Sequence, residues 1–188
     1  MSSNKIAEQF IKFINYIINL INKDGEVFHT NLGNPTYKRL ECINPTPEFL
    51  KMIREIPDHT EFKLYHLLQS LPHFLNSKDR KVSFNKYTSC KIDILAELYI
   101  NSLRFINEKI DHNGSISFAD AGNKTYKCKS LNYNPLREYL DKTNITMMKF
   151  ASSLPPCYMV ENNKILYVRI IPETPKKPVE VYSLNEID

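Results

Sequence analysis

Two stretches of this chain repeat each other at a fixed spacing, and that repeat constrains the fold more than any other feature. Asp24-Gly25-Glu26-Val27 is matched by Asn113-Gly114-Ser115-Ile116 at an offset of 89 residues. Gly33-Asn34-Pro35-Thr36-Tyr37-Lys38 is matched by Gly122-Asn123-Lys124-Thr125-Tyr126-Lys127 at the same offset, as are Ile11, Ile17 and Ile21 by Ile100, Ile106 and Ile110. One inserted residue later, Pro45, Glu48, Phe49 and Leu50 face Pro135, Glu138, Tyr139 and Leu140. The first copy then carries an extra stretch around 53–59, after which Ser70-Leu71-Pro72 faces Ser153-Leu154-Pro155. Apolar positions, turn residues and their order agree together, so the repeat predicts an internal duplication.

Each copy reads as one small helix-and-hairpin module. Residues 5–22 place Ile6, Phe10, Phe13, Ile14, Ile17, Ile18 and Ile21 at helical spacing with one broad apolar face, and Gly25 ends that helix. Leu95, Tyr99, Leu103, Ile106 and Ile110 repeat the pattern up to Gly114. Short strands are predicted at 26–30 and 115–118, each followed by a Gly-Asn turn. The Thr-Tyr-Lys segment that follows is either a returning strand or a short helical turn. A second helix begins near Pro45 and Pro47 and its mate near Pro135, since proline suits a first helical turn. In the third helix Leu64, Leu67, Leu68 and Leu71 lie at i, i+3, i+4 and i+7, and Met147, Phe150, Ala151 and Leu154 occupy the same places. The opposite face offers Lys63, His66 and Gln69 in one copy and Thr146, Lys149 and Ser152 in the other. Pro72 and Pro155 stop these helices. Each copy closes on a hairpin, with polar loops at 76–81 and 161–164.

The predicted fold is therefore mainly α with small β-hairpins, an α+β class, arranged as two tandem winged-helix-like modules. The first spans 1–88 and the second 89–171, and 172–188 form a Pro-rich, charged tail. Each module is close to the lower size for a single stable core. The content of 42% hydrophobic and 24% charged residues suits a globular chain with such cores. The formal charge of +4 permits a nucleic-acid partner without demanding one.

Cys42, Cys90, Cys128 and Cys157 form no Cys-x-x-Cys pair and no metal knuckle. The N-terminus runs straight into an amphipathic pattern rather than a signal peptide, so reduced thiols in a cytoplasmic or nuclear setting are expected. No apolar run approaches the roughly 18 residues that span a membrane, and the Asn144-Ile145-Thr146 acceptor motif reads as chance in that setting. No hydrolase elbow, P-loop or zincin motif occurs, and four glycines leave little for a Gly-rich phosphate loop. His59, His66 and His73 are seven apart, but the second copy has Lys142, Lys149 and Pro156 there, so surface histidines are expected rather than zinc ligands. Asp93 and Glu97 read as a solvated helix face. The expectation is a protein that is not an enzyme and carries no cofactor, metal or small-molecule substrate.

Several segments resemble the LOTUS domain, also called OST-HTH: Gly25-x-Val27, the leucine-rich stretch from Phe62 through Leu71-Pro72 to Phe74, Gly114-x-Ile116, Phe150 to Pro155, and Ile165-Leu166-Tyr167-Val168-Arg169. The chain departs from the family where Tyr-Gly often precedes the third helix: Tyr139 is followed by Leu140, and the first copy has Asp58-His59-Thr60. The resemblance implies RNA binding, or docking onto a DEAD-box helicase, in germ-granule or RNA-silencing proteins.

Two functions follow. The first is a tandem RNA-binding module that uses the exposed side of each third helix and the adjoining hairpin tip. Its candidate residues are Lys63, His66, Lys78, Arg80 and Lys81 in the first copy and Lys149, Lys164 and Arg169 in the second. The Thr-Tyr-Lys segments add Tyr37, Lys38, Arg39, Tyr126 and Lys127. Lys and Arg neutralise phosphates and tyrosine stacks on unpaired bases, unless Tyr37 and Tyr126 are core residues. The second is an adaptor that holds a protein partner such as a helicase in a groove between helices, with no nucleic-acid contact. The modest charge and Glu161 beside Lys164 favour it.

Overall fold

The computed structural model describes residues 2–85 and 91–170. The predicted boundary at 88/89 and the tail at 172–188 lie outside them.

The first long apolar stripe forms helix α1 (Ser3–Asp24), which buries Phe10, Phe13, Ile14, Ile17 and Ile21 along one face. It ends where Gly25 turns left-handed at φ 79°, its N–H donating to the Ile21 carbonyl at 2.7 Å. Strand β1 (Glu26–Phe28), a short helix α2 (His29–Gly33), α3 (Thr46–Arg54) and α4 (Leu64–Leu68) follow, and then a hairpin of β2 (Leu75–Lys78) and β3 (Lys81–Phe84). The second half repeats this order: α5 (Ile92–Asn113), β4 (Ile116–Ser117), α6 (Phe118–Gly122), α7 (Pro135–Thr143), α8 (Met147–Ser152), β5 (Tyr158–Glu161) and β6 (Lys164–Tyr167). Gly114 caps α5 at the same φ of 79° and donates to Ile110 at 2.7 Å. Two small antiparallel sheets result, ordered β1-β3-β2 and β4-β6-β5, so the chain is α+β.

Several local predictions are corrected. The first strands are shorter than 26–30 and 115–118, because their partners run out at the hairpin tips. The His29 N–H donates to the Arg80 carbonyl at 2.9 Å and the Phe118 N–H to the Asn163 carbonyl at 2.8 Å. Beyond those tips no strand remains to pair with, and the chain turns into α2 and α6, two helices the hydrophobic pattern did not indicate. The hairpin loops are also tighter than 76–81 and 161–164. Only two residues form each tip, Asp79-Arg80 at φ 52° and 62° and Asn162-Asn163 at φ 51° and 57°. Two positive φ values in succession give the turn whose twist matches a β-hairpin. The third helices stop three residues before Leu71 and two before Leu154. These two leucines, with Leu64 and Met147, still pack against the core, beside the buried Leu67, Leu68, Phe150 and Ala151. The Thr-Tyr-Lys segments are not strands: each is entered by a single turn, closed by the Tyr37 N–H donating to the Asn34 carbonyl at 3.2 Å and the Tyr126 N–H to the Asn123 carbonyl at 3.0 Å. Asn34 Oδ1 accepts from the Thr36 backbone N–H at 2.9 Å and its hydroxyl at 2.8 Å, and Asn123 accepts from Thr125 at the same two distances.

A buried asparagine before a proline organises each half. Asn44 Nδ2 donates to the carbonyls of Leu32 at 2.9 Å and Asn34 at 3.1 Å, while its Oδ1 accepts from the Thr46 N–H at 3.0 Å. Asn134 donates to Ala121 at 2.8 Å and Asn123 at 2.9 Å and accepts from the Arg137 N–H at 3.1 Å. Each amide ties the loop after the short helix to the start of the next helix.

The halves are not separate bodies on a string. Helix α1 packs on α5, and the buried residues of both halves form one continuous cluster. Phe74 meets Tyr99 edge-on with ring centroids 5.9 Å apart, and Asn4 Nδ2 donates to the Asp111 carboxylate at 2.7 and 2.8 Å.

Candidate functional site

Helix α4 begins after Lys63, whose backbone N–H donates to His66 Nδ1 at 2.9 Å. That bond fixes the His66 ring across the first turn. The ring stacks on Phe62, centroids 5.3 Å apart, and lies 3.8 Å from Tyr65, which is 57% exposed. In the other half, Thr146 caps α8 by accepting from the Lys149 N–H at 3.2 Å, so its hydroxyl belongs to the helix end rather than to the outward face. Met148, at the register position matching Tyr65, is 55% exposed. Both third helices thus present one large side chain to solvent beside their polar face.

Both halves also line one groove of about 650 Å³, whose lining includes neither Tyr65 nor Met148. His66 lines it from α4 and Gln69 from just past that helix, and Ser152 lines it from the end of α8. Met159 of β5 and Val168 after β6 contribute apolar walls, while His59, Asp58 and Glu61 come from the extra loop of the first half. Lys63 and Arg169 each follow a lining residue, Phe62 and Val168. Neither they nor Lys149 form an ion pair among the described residues.

The remaining predicted residues are more dispersed. Lys78 and Arg80 are exposed at the first hairpin tip. Lys81 is held by Glu26 at 2.6 Å and lies over the Phe28 ring, 4.8 Å from its centroid. Lys164 faces Glu161 across the second hairpin. Tyr37 and Tyr126 are half-buried against the core. The Tyr126 ring meets Phe105 edge-on and carries the Lys109 ammonium 4.7 Å from its centroid, so one face is occupied. Lys38 is exposed, Lys127 Nζ donates to Asn132 Oδ1 at 3.4 Å, and Arg39 is held bidentate by Asp24. That guanidinium keeps the Asp24 carboxyl below its ordinary range.

Sequence reasoning passed over Tyr65, Met148 and the place of the groove between the two halves. An aromatic one position past Leu64 falls outside the apolar stripe, a signal that was available. The groove was not, because its walls come from halves far apart in sequence.

A second cleft, of about 760 Å³, lies between α1 and α5. Lys12, Arg104 and Lys129 share it with Glu8, Glu108 and Asp111, so its formal charges balance, and it contains none of the predicted residues. Burial alone would raise the Glu108 carboxyl. Hydrogen bonds from the Cys128 thiol at 3.3 Å and the Lys129 N–H at 3.3 Å, with Lys109 nearby, pull it below the ordinary range instead.

His59, His66 and His73 do not share a helix: only His66 is helical, and His73 lines a different, smaller cavity. No group of three or more His, Cys, Asp or Glu arranged to hold a metal occurs among the described residues. Cys42 is exposed, while Cys128 and Cys157 are buried free thiols, and burial pushes the Cys157 thiol far up. No helix among the described residues is long and apolar enough to cross a membrane.

Fold and groove together define an α+β protein whose two halves share element order and sheet order and meet at a mixed polar and aromatic groove. Neither protein-family models, nor curated proteins, nor solved structures give a match to this chain.

Proposed function

We propose that the chain is a non-catalytic, RNA-binding pair of winged-helix-like modules that arose by internal duplication and are related to LOTUS domains. The observation that carries this reading is that both third helices contribute to one groove, His66 from one and Ser152 from the other, while the candidate cations Lys63, Lys149 and Arg169 form no ion pair among the described residues. The element order of helix, strand, helices and a hairpin returning beside the first strand, present in both halves, supports the winged-helix reading. Matching glycine caps, Asn-Thr turns and buried asparagines support duplication at residue level.

The first hairpin adds support. Arg80 occupies a left-handed position at φ 62° that glycine or asparagine fills at lower cost, and it places a cation at an exposed tip. Backbone strain kept at a surface tip motivates a binding role for the side chain. The setting that fits is cytoplasmic or nuclear, including RNA granules.

The test is anisotropy of labelled single-stranded RNA, structured RNA and duplex DNA across a salt series. RNA affinity that falls steeply with salt reports phosphate contacts. Lys63→Glu with Lys149→Glu is expected to lower RNA affinity at least tenfold and flatten the salt slope. No binding of any of the three at low salt sinks the reading.

A second reading, a protein-docking adaptor such as one for a helicase, draws on the apolar Met159 and Val168 walls and on Asp58 and Glu61 at the groove. The same charge reversal leaves a protein interaction of that kind intact.

A further inference from the structure

The cleft between α1 and α5 separates its charges by sign. Glu8, Lys12 and Asn15 line it from α1, and Arg104, Asn107 and Asp111 line it from α5. The helices run antiparallel there, since Asn4, near the start of α1, donates to Asp111, near the end of α5. Glu8 therefore stands at the Asp111 end, and Lys12 lies towards Arg104. The Tyr167 hydroxyl marks the acidic end: burial most of all, and the charges of Asp111 and Glu8, push it far up. Among the described residues neither Glu8 nor Asp111 pairs with a cation, and neither Lys12 nor Arg104 pairs with a carboxylate. Glu108, between the two ends, is already engaged by the Cys128 thiol, the Lys129 N–H and the Lys109 ammonium. Asn107 is only 7% exposed. Its Oδ1 accepts from the buried Tyr158 hydroxyl at 2.7 Å, which fixes the amide, while its Nδ2 donates to no group among the described residues. An N–H held in place without a protein acceptor is a preorganised donor for a ligand oxygen.

We propose that this cleft binds a small zwitterion the length of a di- or tripeptide with free termini, its carboxylate on Asn107 Nδ2, Arg104 and Lys12 and its ammonium between Glu8 and Asp111. Helical rise sets the length: Asn107 and Asp111 lie about 6 Å apart along the axis, and Arg104 and Asp111 about 10 Å. An extended chain at roughly 3.5 Å per residue covers that span with two or three residues, whereas a single amino acid reaches only one end. Charge-assisted hydrogen bonds at both ends then fix the orientation. Glu8 and Asp111 repel a polyanion, so the cleft suits a zwitterion better than a nucleic-acid strand. Its volume, about 760 Å³, lies in the range of ligand pockets. The other side of the same helix pair supplies a comparison. A smaller cleft of about 250 Å³ lies there, lined at the positions 89 residues away by Ile18 instead of Asn107, Asn101 instead of Lys12 and Glu97 instead of Glu8. The isoleucine removes the buried donor and Asn101 removes the lysine, so the charged arrangement belongs to one cleft and is not carried by the repeat. This site is independent of the RNA-binding reading.

The test titrates the full, isotopically labelled chain with trialanine, N-acetyl-trialanine and trialanine amide to millimolar concentration, following amide chemical shifts by NMR. Each blocked peptide lacks one terminal charge. We expect trialanine to shift Glu8, Arg104 and Asn107, and either blocked peptide to bind roughly tenfold more weakly, the scale of one charge-assisted hydrogen bond. Arg104→Gln and Glu8→Gln alter exposed side chains, and thermal melts verify that both variants are folded. Arg104→Gln is expected to bind trialanine as weakly as the wild type binds the amide, and to stop distinguishing the two. Glu8→Gln is expected to do the same for trialanine and its acetylated form. Asn107→Asp keeps an acceptor for Tyr158 but sets a carboxylate where the donor was, and the folded variant should lose trialanine binding altogether. Trialanine that shifts no residue of the cleft overturns the site. Blocked peptides that bind as tightly as trialanine, or wild-type affinity in both folded Gln variants, overturn the zwitterion as its occupant.

Discussion

Asn44 and Asn134 show how much one buried amide can organise. Asn44 donates to three backbone carbonyls and Asn134 to two, each accepts once from a backbone N–H, and each is nearly inaccessible to water. An alanine leaves those carbonyls and the N–H without their partner. Asn134→Ala is expected to cost about 1–3 kcal/mol, and Asn44→Ala a similar amount, read by urea denaturation. Arg80 is the opposite case. Relief of its left-handed strain by Arg80→Gly, offset by the greater chain entropy of glycine, is expected to raise stability by up to about 1 kcal/mol. RNA affinity should fall in the same variant, since a tip cation is lost. A stabilising change that weakens binding would mark Arg80 as functional, whereas unchanged affinity would leave its conformation unexplained.

At the scale of elements, the hairpins decide where the first strands end, and the first strands decide where α2 and α6 begin. The sequence suggested a longer strand over 26–30, but pairing needs a partner and β3 starts only at Lys81. Helix α5 has an electrostatic link to the loop after α6. The folded Glu108 carboxyl titrates below its ordinary value, so the link stabilises the fold above the ordinary glutamate pKa of about 4.3 and is lost as pH falls through the depressed folded value. Glu108→Gln is expected to flatten the acid limb of a thermal-stability profile and leave its shape at neutral pH unchanged. An acid limb as steep as the wild type would assign that loss to other carboxylates.

For the whole molecule, the shared core sets behaviour. Phe74 of the first half packs on Tyr99 of the second, and both are fully buried. Unfolding of one half therefore strips apolar contacts from the other. The chain is expected to unfold in one transition, with far-ultraviolet and near-ultraviolet signals coinciding in urea. Phe74→Ala should lower stability by about 3–5 kcal/mol while keeping that single transition. Two separated transitions in the wild-type chain would show that the halves are energetically independent despite their contact.

The sequence by itself determined the local grammar. Helical spacing of isoleucine and phenylalanine, glycine at two left-handed caps and the Asn-x-Thr turns are short-range features, and the fixed offset of 89 residues exposed their recurrence. It also placed His66, Gln69 and Ser152 on outward faces, because a helical period is enough to separate a buried stripe from its opposite. It could not indicate that those faces meet. The groove depends on how α4 sits against α8 and β5, a packing of segments about 80 residues apart governed by the shared core between α1 and α5. Tertiary structure likewise engaged one face of Tyr126 with Lys109, paired Lys81 with Glu26 and left Tyr65 bare. Periodicity records which side of an element is apolar, whereas the identity of its neighbour is set only when the elements pack.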